Sequence, residues 1–123
     1  MIGNLATPME EIPFLKYLKE TMQTDCVRYT KLLNNPVKRV AVCGGSGQFL
    51  LRQAIGQNAD IFITADFKYH QFFDADGKII IADIGHFESE QFTIDLFYDL
   101  ITKKFNNFTV YRTSIHTNPV NYL

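Results

Sequence analysis

The chain has 123 residues, of which 46% are apolar, and these values fit a single compact domain with its own core. The net charge at pH 7 is -1 and no run of Lys and Arg occurs, so we expect no nucleic-acid partner held by phosphate attraction. No apolar run approaches the roughly 18 residues of a membrane span, and no signal segment opens the chain. We therefore expect a cytoplasmic protein with no membrane partner, in which Cys26 and Cys43 are reduced thiols and not zinc ligands.

The N-terminal third of the chain contains one clear helix. Glycine, asparagine and proline punctuate residues 1–11, which we predict to form a loop. Apolar residues then recur at spacings of three and four, which predicts a helix over residues 10–22. A short alternating segment, 26–30, is a strand candidate, and Asn34, Asn35 and Pro36 mark a turn.

From residue 38 onward, strand patterns alternate with helical patterns. Strands joined by helices of about ten residues need crossover connections and therefore pair largely in parallel. The predicted class is α/β, a single layered domain with a mixed, largely parallel sheet and flanking helices. The predicted strands are 38–43, 60–64, 78–83 and 108–114, and the helical stretches are 49–57, 66–75 and 87–105.

The segment Ile84–Glu90 (IGHFESE) places polar residues directly after a predicted buried strand. On a helix, His86 and Glu90 project from one face a turn apart, and an imidazole nitrogen with a carboxylate oxygen suits zinc, manganese or iron. Alternatively, Glu90 only favours the positive end of the helix. Asp83, just before this corner, is a candidate to orient a ligating histidine from its outer side or, equally, to cap the helix.

A second strand end carries the residues TADFKYH. Asp66 and His70 lie four residues apart, one turn if the segment is helical, and are candidates for an acid or base. Asp66 as a helix cap and His70 as a surface residue is the ordinary alternative. Thr64 either binds a ligand or simply ends the strand.

A glycine-rich turn, Gly44, Gly45, Ser46 and Gly47, follows the strand 38–43. Without side chains, its backbone N–H groups can approach an anion such as a phosphate at a helix N-terminus. No Lys-Ser or Lys-Thr pair follows the last glycine, so it is not a Walker loop. A tight strand-to-helix turn with no ligand is at least as well supported.

In this order and at these separations, VAVCGGSG, DIFITADFKYH and ADIGHFESE resemble the GTP cyclohydrolase type-2 homologue family, also called NIF-three-like or dinuclear-metal YbgI-like. The opening GNLATPM and the closing TNPV resemble the same family, so the likeness covers nearly the whole chain. It implies that residues 1–123 are the C-terminal lobe of a two-lobed fold whose N-terminal lobe is absent from this chain.

The resemblance also implies two metal ions in a cleft between the lobes. It assigns two metal ligands to His86 and Glu90, and it places Thr64, Asp66, Tyr69 and His70 along the same cleft. Ala65 stands where the family usually has glycine. The family's further ligands, a His-His pair and an aspartate, belong to the other lobe, and the three histidines of this chain are His70, His86 and His116. We therefore expect weak metal retention and no turnover from this chain alone.

Two functions follow as expectations. The first is a lobe of a metal-dependent, hydrolase-like enzyme, in which Asp66 or His70 is the acid or base and the glycine turn holds an anionic group of a small-molecule substrate. The second is a non-catalytic scaffold that forms homo-oligomers and binds a nucleotide or a phosphorylated ligand. A third possibility is that the corner residues only cap helices and turn the chain.

Overall fold

The computed structural model describes residues 1–123 as a five-stranded sheet with helices on both faces. The strand order is β1-β3-β4-β5-β2; the three central strands are parallel and both edge strands are antiparallel. This confirms the predicted α/β class with a mixed sheet. The strands are β1 (Ile2–Met9), β2 (Arg28–Tyr29), β3 (Val37–Ser46), β4 (Ile61–Ala65) and β5 (Ile80–Asp83), and the helices are α1 (Glu11–Thr21), α2 (Leu51–Gly56), α3 (His86–Glu90) and α4 (Thr93–Lys104).

The core occupies both faces of the sheet. Every residue of β4 is buried, because helices and loops cover both sides of a central parallel strand. Ile61 and Ile63 point to the face covered by Leu15 and Leu18 of α1. Phe62, between them, points to the opposite face and packs in the cluster that includes α2. Side chains alternate between the two faces along a strand, so β4 contributes residues to both apolar clusters.

The prediction of an N-terminal loop is wrong. Residues 2–9 form β1, which pairs antiparallel with β3 through partners such as Ile2 and Ala41. Pro8 is tolerated because β1 is an edge strand, where a missing N–H leaves no sheet hydrogen bond unmade. The glycine, asparagine and proline that suggested a loop are compatible with an irregular edge; the pairing register shifts between Asn4 and Met9.

The predicted strand 108–114 is also wrong, because no regular secondary structure follows α4. The sheet ends at the edge strands β1 and β2, and this segment pairs with neither of them. Arg112 of this segment instead contacts Asp95 and the ring of Tyr98 on α4, and the residues that follow contact α3. The ring of His116 packs on Phe87 at a centroid distance of 4.9 Å, and Asn118 Nδ2 donates to Glu88 Oε1 at 3.1 Å.

Two predicted helical stretches differ in detail. The stretch 66–75 contains a 3₁₀ helix over Tyr69–Ala75, and the stretch 87–105 is divided into α3 and α4 by Gln91 and Phe92. No helix has both the length and the apolar character needed to cross a membrane. The short α3 begins at His86 and ends at Glu90, the two predicted metal ligands.

Candidate metal centre

The candidate site lies where the central strands end. Since β3, β4 and β5 are parallel, their carboxyl ends meet at one edge of the sheet, the usual place for a ligand in an open α/β fold. Thr64 pairs with Asp83 in the last register of β4 and β5. Gly85, with φ of +92°, then turns the chain, and α3 begins at the next residue.

His86 and Glu90 face each other across one turn of α3, as their spacing predicts. The Nε2 atom of His86 lies 3.5 Å from Oε2 of Glu90, and the side chains remain 55% and 51% exposed. The other ring nitrogen, Nδ1, lies 2.6 Å from Oδ2 of Asp66. A carboxylate can only accept a hydrogen bond, so Nδ1 carries the proton and Nε2 of the neutral ring keeps its lone pair. That lone pair faces the carboxylate of Glu90.

Asp66 therefore changes the pKa of His86. Its hydrogen bond raises the pKa of His86 above the ordinary value of 6.5, and the charge of Glu90 adds to the rise, whereas burial lowers the pKa. Asp66 itself has φ of +61°, a left-handed conformation that aspartate tolerates better than most residues. The structure places Asp66 as the partner that orients the imidazole.

His70 is not part of this cluster. It lies on the 3₁₀ helix, is exposed, and packs its ring on Tyr69 at a centroid distance of 5.3 Å. It does not line the cavity that contains His86. The predicted pair of Asp66 and His70 is thus separated: Asp66 joins the site and His70 does not.

Asp83 does not orient His86, contrary to one of its predicted roles. Its carboxylate is 3% exposed, accepts the N–H groups of Phe67 at 2.9 Å and Gly85 at 3.1 Å, and forms an ion pair with Arg28. These contacts fix the loop that carries Asp66 and the turn that precedes α3. Asp66, not Asp83, orients the ring, because Asp66 follows β4 and His86 follows β5, and these two strands are neighbours in the sheet. Sequence spacing does not reveal this pairing.

The glycine motif does not form an open anion cradle. Gly44, Gly45 and Ser46 continue β3, and the N–H of Gly45 donates to Ser89 Oγ at 2.8 Å. Thr64, which is fully buried, donates its hydroxyl to the carbonyl oxygen of Gly45 at 2.9 Å. Both backbone groups of Gly45 are therefore occupied by protein, and Thr64 serves the strand end instead of a ligand. Ser46 is exposed, and Gly47 begins the turn into the next helical segment.

A cavity of about 660 Å³ opens beside His86. One wall is formed by the site residues and the other by the C-terminal segment, including Asn118 and Tyr122. Burial and the neighbouring charge of Glu88 raise the pKa of Tyr122. Glu88, Asn118 and Arg28 were not predicted to line a site. The sequence signal for Glu88 was present in the IGHFESE motif, but Arg28 lies in a predicted strand and Asn118 in a predicted loop.

Comparison with known proteins decides the family. The sequence profile of the Duf34/NIF3 (NGG1p interacting factor 3) family matches residues 1–119. The chain belongs to this family. The GTP cyclohydrolase 1 type 2 homolog of Staphylococcus epidermidis is 32% identical to this NIF3-family chain over 126 aligned residues, which cover 99% of the chain and 34% of that relative. The homolog of Staphylococcus aureus is 33% identical over 115 aligned residues, covering 89% of the chain and 31% of that relative.

Solved structures agree with the fold. A Staphylococcus aureus protein superposes with a TM-score of 0.84 at 28% identity, covering 99% of the NIF3-family chain and 36% of that protein. A Bacillus cereus protein related to NIF3 gives 0.83 at 28% identity, with coverage of 99% and 35%. The chain thus spans about a third of the length of the relatives that it matches.

The donors present in this NIF3-family chain fit part of a cation site. His86 Nε2 and the carboxylate of Glu90 bring a nitrogen and an oxygen to within 3.5 Å of each other at one point of α3, and zinc, manganese and iron all take ligands of these two types. Asp66 binds the opposite ring nitrogen, so it does not add a third donor at that point. No group of three or more His, Cys, Asp and Glu side chains is arranged to hold a metal ion.

Proposed function

We propose that this chain contributes His86 and Glu90 to the metal site of a metal-dependent, hydrolase-like protein, and that ligands outside residues 1–123 complete the site. The observation that supports it is the 3.5 Å approach of His86 Nε2 to Glu90 Oε2, with Nδ1 held by Asp66. A ligating histidine in proteins usually donates its other ring N–H to a carboxylate in this way. Because the motifs resemble those of the family, we further propose that the complete site holds two divalent ions of zinc, manganese or iron.

When bound, such a metal polarises a substrate oxygen and lowers the pKa of a bound water molecule. The chain's own residues supply the setting. Asp66 fixes the tautomer and the ring plane of His86, and the cavity beside it has the size of a small-molecule site. Asp83 and Arg28 hold the loop before the 3₁₀ helix in place, which fixes Asp66.

Two ligands on one short helix make an incomplete site, since catalytic zinc takes about three protein ligands and a water molecule. Chain 1–123 is therefore expected to lose its metal on dialysis, whereas a longer protein that contains this lobe retains it. Elemental analysis of both after dialysis measures the difference. One ion per chain on residues 1–123 alone would contradict the incomplete site.

Substitution in the longer protein tests the ligands themselves. His86→Ala or Glu90→Ala is expected to lower metal affinity by more than the roughly 10- to 100-fold typical of changes outside the ligand shell. His70→Ala and Glu20→Gln are matched controls, because both residues are exposed and neither lines the cavity. Equal metal content in the His86 variant and the His70 variant would refute the proposal.

The alternative function, a non-catalytic and oligomer-forming scaffold, is favoured by a different observation. The helix α4 has no buried residue, although Phe97 and Leu100 are among its apolar side chains. An exposed apolar face of this kind commonly marks an interaction surface. The same His86→Ala and Glu90→Ala variants separate the two functions: a scaffold keeps its assembly and ligand affinity, whereas the metal-dependent protein loses its ions and its hydrolytic activity.

A further inference from the structure

Gly45 lies at an irregular point of β3, between the pairs that Val42 and Ser46 make with β4. Its φ is +60°, a conformation in which glycine has no steric cost. The N–H of Gly45 is bound by Ser89 Oγ and its carbonyl oxygen by the hydroxyl of Thr64. Because α3 and β4 each hold one backbone group, the Cα atom of Gly45 is fixed relative to both.

The side of Gly45 that would carry a side chain faces the two proposed metal ligands. An ideal Cβ atom there would lie 2.8 Å from Oε1 of Glu90, 3.2 Å from Cε1 of His86 and 3.3 Å from its Nε2. The first distance is shorter than a real Cβ contact allows. The space occupied by the imidazole edge and the carboxylate therefore exists because residue 45 has no side chain.

Ser89 connects the same strand end to α3. Its hydroxyl accepts the N–H of Gly45 and donates to the carbonyl oxygen of His86 at 2.8 Å. One side chain thus links Gly45 to the backbone of the proposed ligand. The contact spans 44 positions of sequence, so it depends on the fold and not on the helix alone.

We propose that Gly45 is a positioning residue, whose missing side chain lets His86 and Glu90 converge on one metal ion. This inference rests on the proposed function, because it assigns the space beside Gly45 to metal binding. It also replaces the phosphate-binding role predicted for the glycine motif: the N–H that would bind an anion is bound to Ser89, and the bare Cα serves the cation ligands instead.

The effect of a methyl group at Gly45 is specific. The atom that it would displace is the end of the flexible Glu90 side chain, which can move without disturbing the core. Gly45→Ala should therefore cost stability mainly through its positive φ, since the His86 ring, at 3.2 and 3.3 Å, has to shift by only a few tenths of an ångström, and the carboxylate should move away from His86. The expected result is metal affinity lowered by about tenfold or more.

Two other glycines provide matched controls. Gly77 has φ of +65° and nothing within 4 Å of its ideal Cβ, so Gly77→Ala has the backbone strain without the steric contact. Gly44 precedes Gly45 in the same motif, and its ideal Cβ meets Glu90 Cγ at an ordinary 3.4 Å. Metal affinity is expected to stay unchanged in both controls, and the fall in Tm should be similar in Gly45→Ala and Gly77→Ala.

The probe is Mn²⁺, added to the ¹⁵N-labelled chain while paramagnetic broadening of the amide signals of His86 and Glu90 is followed by NMR. The amide signals of His86 and Glu90 should broaden at the same Mn²⁺ concentration in wild type, Gly44→Ala and Gly77→Ala. In Gly45→Ala they should broaden at a concentration about ten times higher or more. A nuclear Overhauser contact between the Gly45 α protons and His86 Hε1 should be present in wild type without metal.

Each outcome has one meaning. If wild type broadens at His86 and Gly45→Ala behaves like Gly77→Ala, the positioning role is wrong and the proposed function stands. The incomplete site of residues 1–123 should bind Mn²⁺ weakly, so if wild type shows no local broadening at His86 even with Mn²⁺ in large excess over the chain, His86 and Glu90 do not bind the ion, and the proposed metal function and the inference both fail. If the contact between Gly45 and His86 is missing in wild type, the geometry that the inference needs is contradicted independently of metal.

Discussion

At the scale of single residues, the site is decided by which carboxylate reaches which ring nitrogen. Asp66 binds Nδ1 of His86 and Glu90 faces Nε2, so the two acids have different effects on one imidazole. The Asp66 hydrogen bond is the larger cause of the raised pKa of His86. The metal binding that we propose would compete with proton binding at this imidazole, because a cation needs the deprotonated Nε2.

We predict that Asp66→Asn lowers the pKa of His86 toward its ordinary value of 6.5. The amide keeps the size of the carboxylate but removes the negative charge that stabilises the imidazolium. NMR titration of the His86 Hε1 signal measures the pKa directly. Asp74→Asn, at an exposed position outside the cavity, is the control. An equal or larger fall in Glu90→Gln would contradict the dominance of Asp66.

The same pair has a defined effect on stability. Because the pKa of His86 is raised in the folded state, protonation of His86 stabilises the folded chain relative to the unfolded chain. This contribution is fully present below the unfolded pKa of histidine and is lost as the pH rises through the raised folded pKa. In Asp66→Asn the free energy of unfolding should depend less on pH over that range. Urea unfolding at several pH values measures this dependence.

At the scale of elements, α4 differs from α1, the other long helix of the chain. The helix α1 buries Phe14, Leu15 and Leu18 against the sheet, whereas α4 buries no residue. Its side chains Phe97 and Leu100 are 57% and 53% exposed. Helix stability in proteins comes mostly from packing of an apolar face, so α4 is an element whose apolar face is not used within residues 1–123.

We predict that Phe97→Gln combined with Leu100→Gln changes the unfolding free energy by no more than about 0.5 kcal/mol, as expected of surface positions. The same variant should bind less of a hydrophobic dye and self-associate less, because the exposed apolar area is smaller. Urea unfolding, dye fluorescence and analytical ultracentrifugation measure these effects, and Asp99→Asn on the same helix is the control. A large loss of stability would mean that this chain itself covers the face.

At the scale of the whole molecule, one strand joins two apolar clusters. Ile61 and Ile63 belong to the cluster under α1, and Phe62 belongs to the cluster under α2. Since consecutive residues of β4 serve opposite faces, neither cluster can lose its packing without disturbing the strand that supports the other. The candidate site lies at the end of this strand, so its geometry depends on both clusters.

We predict that Phe62→Ala lowers the unfolding free energy by about 3–5 kcal/mol, the usual cost of removing a buried aromatic ring. Phe62 is 2% exposed, whereas Phe49 is 72% exposed, and Phe49→Ala should cost about 0.5 kcal/mol or less. Urea unfolding followed by circular dichroism gives both values. The NMR signals of folded Ile61 and Leu51, which lie on opposite faces, should disappear in one unfolding transition. Two separate transitions would contradict the prediction that the shared strand makes the two clusters unfold together.

The sequence predicted the features that depend on near neighbours. Alternating strands and helices, the strands β3, β4 and β5, and the helical face shared by His86 and Glu90 follow from periodicities of two and 3.6 residues, which act over a few positions. The interpretation of β3 as a buried strand is wrong, because most of its residues are partly or fully exposed. The motif that resembles the family lies in these same segments. Failures in the fold occurred at the margins: residues 2–9 form an edge strand despite their turn-forming residues, and 108–114 remain outside the sheet.

Tertiary structure alone decided the contacts between distant segments. The partner of His86 is Asp66, 20 positions away, and not Asp83, three positions away, because adjacent parallel strands place Asp66 beside the ring and leave Asp83 under Arg28. Likewise, spacing could not reveal that Gly45 faces Glu90 across the sheet edge. Chain order determines which residues share a helix turn, whereas pairing of strands determines which strand ends meet.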